Sequence, residues 1–87
     1  MIEQIRTTIQ TALPDATVHV FDPQQDGQHF EAVVISPQFV GLSLVKQHQV
    51  VMKPLKSAFE TYVHALRLRT LTPEKWLAVQ HEYEHLI

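Results

Sequence analysis

Apolar residues recur at steps of three and four along the first thirteen positions, at Ile2, Ile5, Ile9 and Leu13, with polar residues between them. That spacing places one apolar stripe on a first helix of about a dozen residues. Pro14-Asp15 ends it. The character then changes: Thr17-Val18-His19-Val20-Phe21 is short and β-branched, and Phe30 to Ile35 is more so, which predicts two strands. The polar segment between them, Asp22 to Gln28, holds a Pro and an Asp-Gly turn, so the pair reads as a β-hairpin. Ser36-Pro37 closes the second strand, because Pro lacks the ladder donor and turns its predecessor away from helix. A helical period returns after Gly41-Leu42. Ser43 is placed as an N-cap, and Leu44, Val51, Met52, Leu55, Phe59 and Tyr62 fall near one face of a helix running to about Tyr62. Pro54 inside it is expected to bend or locally open the helix. His64 to Thr70 alternates, with Leu66 and Leu68 on one side and Ala65, Arg67 and Arg69 on the other, as in a half-buried third strand. Thr72-Pro73-Glu74 starts a last helix: Thr caps, Pro takes the first position, and Glu sits where the helix dipole favours it. Trp76, Val79, Tyr83 and Leu86 lie near one of its faces.

The order is α-β-β-α-β-α. A helical crossover joins the second and third strands, so they are expected to run parallel. The fold class is α+β: a three-stranded mixed sheet with helices on one face, in a single domain over residues 1–87. Composition narrows the function classes. Apolar residues make up 45% of the chain and Gly occurs only twice, which describes a folded domain rather than a disordered tail. A net charge of −2 gives no overall attraction to a nucleic-acid backbone. Cysteine is absent, so any metal must be held through His or carboxylate. Residues 1–13 contain no continuous apolar run, so they predict neither a signal peptide nor a membrane span, and the default location is cytoplasmic. No nucleophile-base pair or phosphate loop is legible, which argues against an enzyme.

Five blocks in register resemble the BolA family. They are Leu13-Pro14-Asp15-Ala16 with the following Val-x-Val strand; Asp26-Gly27-Gln28-His29-Phe30; Val34-Ile35-Ser36 with Phe39 and Gly41; Val45 to Val51; and His64-Ala65-Leu66 with Thr70, Thr72-Pro73-Glu74-Lys75-Trp76. The resemblance covers about residues 2–76, and residues 77–87 form a C-terminal helix extension outside it. It implies a fold similar to the type II KH fold and a role in iron homeostasis as partner of a CGFS-type monothiol glutaredoxin. In such pairs a 2Fe-2S cluster is held jointly by the glutaredoxin's cysteine, by glutathione and by family histidines, and the isolated chain holds none. The family's ligand histidine corresponds to His64. The second family ligand lies in the loop between the first two strands, where His29 is the candidate. Mixed His/Cys ligation raises the potential of such a cluster, and a protonated His cannot bind metal, so ligation weakens on mild acidification.

The alternative is a DNA-binding transcription regulator. Lys46, His48, Lys53, Lys56, Arg67 and Arg69 together form a modest basic patch. The segment Val40-Gly41-Leu42-Ser43-Leu44 lacks the second glycine of the KH loop that clamps RNA, which argues against ordinary KH-type binding. Neither reading involves the membrane, and both leave a homodimer open. The chain also ends on a string, His81-Glu82-Tyr83-Glu84-His85, that satisfies the H-E-x-x-H zinc motif. Such a match arises by chance in roughly one sequence of this His and Glu content in forty. Two residues follow His85 in this sequence, so no downstream third ligand is expected. His81 and His85 are expected to share a helix face, which gives at most incidental metal affinity.

Overall fold

In the computed structural model the described residues are 1–58 and 66–84. The apolar stripe of the first segment becomes α1 (Ile2–Ala12), with Ile5 and Ile9 buried. Leu13 leaves the helix but is buried beside them, and its N–H still donates to the Ile9 carbonyl at 2.9 Å. Strand β1 (Thr17–Phe21) pairs antiparallel with β2 (Phe30–Ile35), Thr17 opposite Ile35 and Phe21 opposite Glu31. A single 3-10 turn, Pro37–Phe39, follows β2. Its N-cap is Ser36, whose Oγ accepts from the Gln38 N–H. Helix α2 (Leu44–Ala58) begins where expected: the Ser43 Oγ accepts from the Lys46 N–H at 3.2 Å. Its helical pattern runs through Pro54. Strand β3 (Leu66–Leu71) runs parallel to β2, with Phe30 opposite Leu66 and Ile35 opposite Leu71. The sheet order is β1-β2-β3, so β2 is central. Thr72 caps α3 (Pro73–Val79) through its Oγ and the Lys75 N–H, and a 3-10 turn (Gln80–Tyr83) continues from it. The expected end of the middle helix near Tyr62, with Phe59 on its face, the start of the third strand at His64 and Ala65, and Leu86 lie outside the described residues. Among the described residues no helix is long and apolar enough to cross a membrane.

The expectation that the helices share one face of the sheet is corrected. Phe30, Ala32 and Val34 of β2 pack in one cluster with Ile5, Ile9 and Leu13 of the first segment and Val51 and Leu55 of α2. Val33 and Ile35, which point the opposite way along the pleat, pack with Leu71, Tyr83, Phe21, Trp76 and Val79. So α1 and α2 cover one face, while α3 and its 3-10 continuation cover the other. This accounts for the unbroken apolar run of β2: a strand buried on both sides has no polar face to show.

A second correction concerns α2. Leu44, placed on the core face by periodicity, is 61% exposed. The buried stripe is Gln47, Val51 and Leu55, a strict four-residue step. Gln47 is buried because its amide is fully used. Its Nε2 donates to the carbonyls of Phe39 (3.3 Å) and Leu42 (3.0 Å), and its Oε1 accepts from the Thr70 hydroxyl at 2.7 Å. Burial without those partners would cost on the order of 1–3 kcal/mol. With them, the amide ties α2 to β3 and to the segment ahead of α2.

Candidate functional site

Residues 22–29, between β1 and β2, form a loop built on two aspartates. The Asp22 carboxylate accepts from the backbone N–H of Asp26 at 3.3 Å and of Gly27 at 2.9 Å. Four residues on, the Asp26 Oδ1 accepts from the N–H of Gln28 at 2.9 Å and of His29 at 3.0 Å. The tight reversal needs two left-handed residues, Gln25 (φ 53°) and Gly27 (φ 68°). A Cβ at Gly27 would meet nothing within 4 Å, so glycine serves there for its backbone freedom and not for space. The remaining oxygen of Asp26 faces the His29 ring, with Oδ2 and Nδ1 2.7 Å apart. The two backbone donors and the ring hold the Asp26 carboxyl well below the usual carboxylate range. His29 itself keeps 57% of its side chain exposed. It lies on a cleft of about 460 Å³ lined by Pro23, Gln24, Phe30, Glu31, Leu66 and Arg67 as well.

This cleft sits at the end of the sheet where the parallel strands β2 and β3 both begin. His29 directly precedes Phe30, and the register sets Phe30 against Leu66. His64, two residues ahead of Leu66 in sequence, lies outside the described residues. Among the described residues no group of three or more His, Asp or Glu is arranged to hold a metal ion. Among the described residues the rim offers one exposed imidazole, and a metal centre there would need further ligands.

The basic residues do not gather into one patch. Lys46, Lys53 and Lys56 are exposed on α2 and His48 is half-buried. Of these, His48, Lys53 and Lys56 line a common cleft of about 450 Å³ with Gln49 and Met52. Arg67 and Arg69 project from the opposite face of the sheet, by the alternation of β3 that puts Leu66 and Leu68 against the first cluster. Arg69 is already engaged: its Nη1 donates to Glu82 at 3.0 Å and to the Tyr83 hydroxyl at 2.8 Å, which raises its pKa.

The terminal H-E-x-x-H string is not built as a metal site through its described part. Residues Gln80–Tyr83 are a 3-10 turn, whose period of three does not align positions four apart. Glu82 is spent on Arg69, and His85 lies outside the described residues. The sequence marks Asp26 as part of a turn and of a family block but not as the partner of His29. The one local signal for that contact is an Asp three residues ahead of a His, within a turn sequence that lets a side chain cap the backbone.

Comparison with known proteins decides the family. The model for BolA-like proteins matches residues 4–75. The chain belongs to the BolA family. Among its relatives is the acid stress protein IbaG of Escherichia coli K12, 32% identical over 74 residues, which cover 84% of each chain. The DNA-binding transcriptional regulator BolA of the same organism is 28% identical over 85 residues, 90% of this chain and 81% of that one. Solved BolA-type structures superpose closely. A homologue from Coxiella burnetii gives a TM-score of 0.74 at 35% identity over 88% of this chain and 96% of its own. Yeast Fra2 gives 0.70 at 27% identity, covering 100% and 95%. The BolA domain of Arabidopsis thaliana SufE1 gives 0.70 at 29%, covering 85% and 93%.

Proposed function

We propose that this BolA-family chain is a partner protein and not an enzyme, which supplies histidine ligation to a 2Fe-2S cluster held jointly with a CGFS-type monothiol glutaredoxin and glutathione. The observation that carries the reading is His29: an exposed imidazole, fixed by Asp26 on one ring nitrogen, at the mouth of a cleft where β2 and β3 begin. The donor set suits a shared cluster. Two imidazoles from this chain would complete the four terminal ligands of a centre whose two thiolates come from the glutaredoxin cysteine and glutathione, and the chain has no cysteine of its own. Through the family resemblance His64 is assigned the family histidine's ligand role, and His29 takes the second position, in the loop. The kinship with Fra2 and the SufE1 BolA domain supports a place in iron-sulfur trafficking or regulation.

The test is to mix the chain with a monothiol glutaredoxin, glutathione and an iron-sulfur source, then record the visible spectrum and the size of the complex. A heterodimer with a spectrum distinct from the glutaredoxin's own is expected. A spectrum identical to the glutaredoxin's, with no heterodimer on sizing, overturns the proposal. A second reading, DNA binding through α2, is favoured by the cleft shared by His48, Lys53 and Lys56 and by the name of the E. coli relative. With a net charge of −2 and the arginines on the other face, this affinity falls steeply with salt. Retention on duplex DNA at about 150 mM salt, lost in Lys53→Ala/Lys56→Ala, is its test.

A further inference from the structure

The hydrogen bonds around Asp26 determine more than the shape of a loop. A neutral imidazole carries one N–H, on Nδ1 or on Nε2, and the other nitrogen keeps its lone pair. Only the lone pair binds a metal. A freely rotating histidine populates both forms, and which nitrogen donates is set by what the other one meets. In this chain Nδ1 meets an ionised carboxylate oxygen at 2.7 Å, and an anion can only accept. The proton of the neutral ring therefore sits on Nδ1. Among the described residues Nε2 has no hydrogen-bond partner, and His29 lines the cleft at the start of β2 and β3.

We infer that Asp26 is a positioning residue that fixes the His29 ring in the Nδ1–H form and presents Nε2 as its ligand atom. The presentation of Nε2 to iron rests on the function proposed above, whereas the tautomer does not. The fixing is rigid because Asp26 is itself held. Its Oδ1 is pinned by two backbone donors, Gln28 and His29, so the carboxylate cannot turn away from the ring without giving both up. The turn that carries it is pinned in turn by Asp22, which takes the N–H groups of Asp26 and Gly27. Order thus passes from Asp22 to the turn, from the turn to Asp26, and from Asp26 to the ring. A carboxylate behind a ligating histidine is a common means of orienting the ring and raising its basicity, and its loss costs about 10–100-fold in metal affinity.

The substitution that isolates this role is Asp26→Asn. Asn keeps an oxygen for the two backbone donors but places an NH₂ group where Oδ2 stood. That group donates to Nδ1 and forces the proton onto Nε2, closing the lone pair. The readout is the ring nitrogens of His29 in long-range ¹H–¹⁵N spectra of the whole, cluster-free protein at about pH 8, above the ordinary imidazole range. The wild type is expected to show Nδ1 protonated and Nε2 bare, and D26N the reverse, with the amide signals of Val33 and Ile35 unmoved. A wild-type ring protonated on Nε2, or a ring whose tautomer is the same in D26N, overturns the inference. In the glutaredoxin complex, D26N is expected to weaken cluster retention about 10–100-fold. If D26N switches the tautomer but His29→Ala leaves the cluster spectrum unchanged, the proposed ligand role fails and the positioning of the ring stands.

Discussion

His19 and His29 belong to the same hairpin and have opposite surroundings. His19 lies within β1, half-buried in a layer of rings. It stacks on Trp76 at 5.7 Å between centroids and an interplanar angle of 27°, and on Phe21 at 6.4 Å and 9°. Burial lowers its pKa, so the folded state uses it as a flat apolar body. His29 is at the rim, exposed, with a carboxylate behind it. One side chain therefore serves packing in one place and, in the proposed function, ligand chemistry in the other, and what separates them is the Asp22–Asp26 turn. The aromatic layer confers stability on the second face of the sheet. The rim confers a donor atom and contributes little to the fold.

That division can be broken experimentally, most strongly at Tyr83. Its ring is buried, stacks on Phe21 (6.2 Å, 10°), meets Trp76 at 5.6 Å, and takes a hydrogen bond from Arg69. Tyr83→Ala is expected to cost about 3 kcal/mol in urea unfolding. The His29 ring signals should not move. If they shift as far as they do in D26N, the rim and the aromatic layer are not separate. Asp22→Ala should act the other way. Its two backbone donors are exposed and can turn to water, so the cost is below about 1 kcal/mol. Amide exchange at Asp26 and Gly27 should nevertheless quicken and the His29 tautomer should become mixed. Unchanged exchange there would remove Asp22 from the chain of positioning. The smallest effect is the pH dependence of His19. Its folded-state pKa lies below the ordinary value of about 6.5, so between the two the unfolded chain binds more protons. Its contribution is complete above about pH 6.5 and declines as the pH falls through that value toward the lower folded one. Urea midpoints across this window should lose that slope in His19→Phe. A slope retained in full would place the titrating group elsewhere.

Much of this fold can be read from residue order. The α1 stripe, the hairpin and the caps at Ser43 and Thr72 follow from local pattern, because each depends on neighbours within a few positions, and the parallel β3 follows from the helical crossover that joins it to β2. What failed depends on tertiary placement. Trp76, Val79 and Tyr83 announce an apolar face, but not which side of the sheet it covers. The unbroken run Ala32 to Ile35 held that information, since only two-sided burial makes it favourable. Leu44 and Gln47 exchanged roles because periodicity weighs side chains by polarity, whereas Gln47 is admitted to the core by three hydrogen bonds that reach Phe39, Leu42 and Thr70. At the site, Asp26 and His29 stand in one family block, but the contact between them was not legible there, because it depends on how the turn brings the carboxylate to 2.7 Å from the ring. The division of the basic residues between α2 and the far side of β3 was likewise hidden until the sheet had two covered faces.

The measurement that bears most directly on the central claim is visible circular dichroism of the cluster-loaded complex with monothiol glutaredoxin and glutathione, comparing wild type with His29→Ala. The variant should fold normally, since 57% of the His29 side chain is exposed. The account predicts an altered spectrum and faster cluster loss. A complex of the same size with an unchanged spectrum and an unchanged rate of cluster transfer would contradict it.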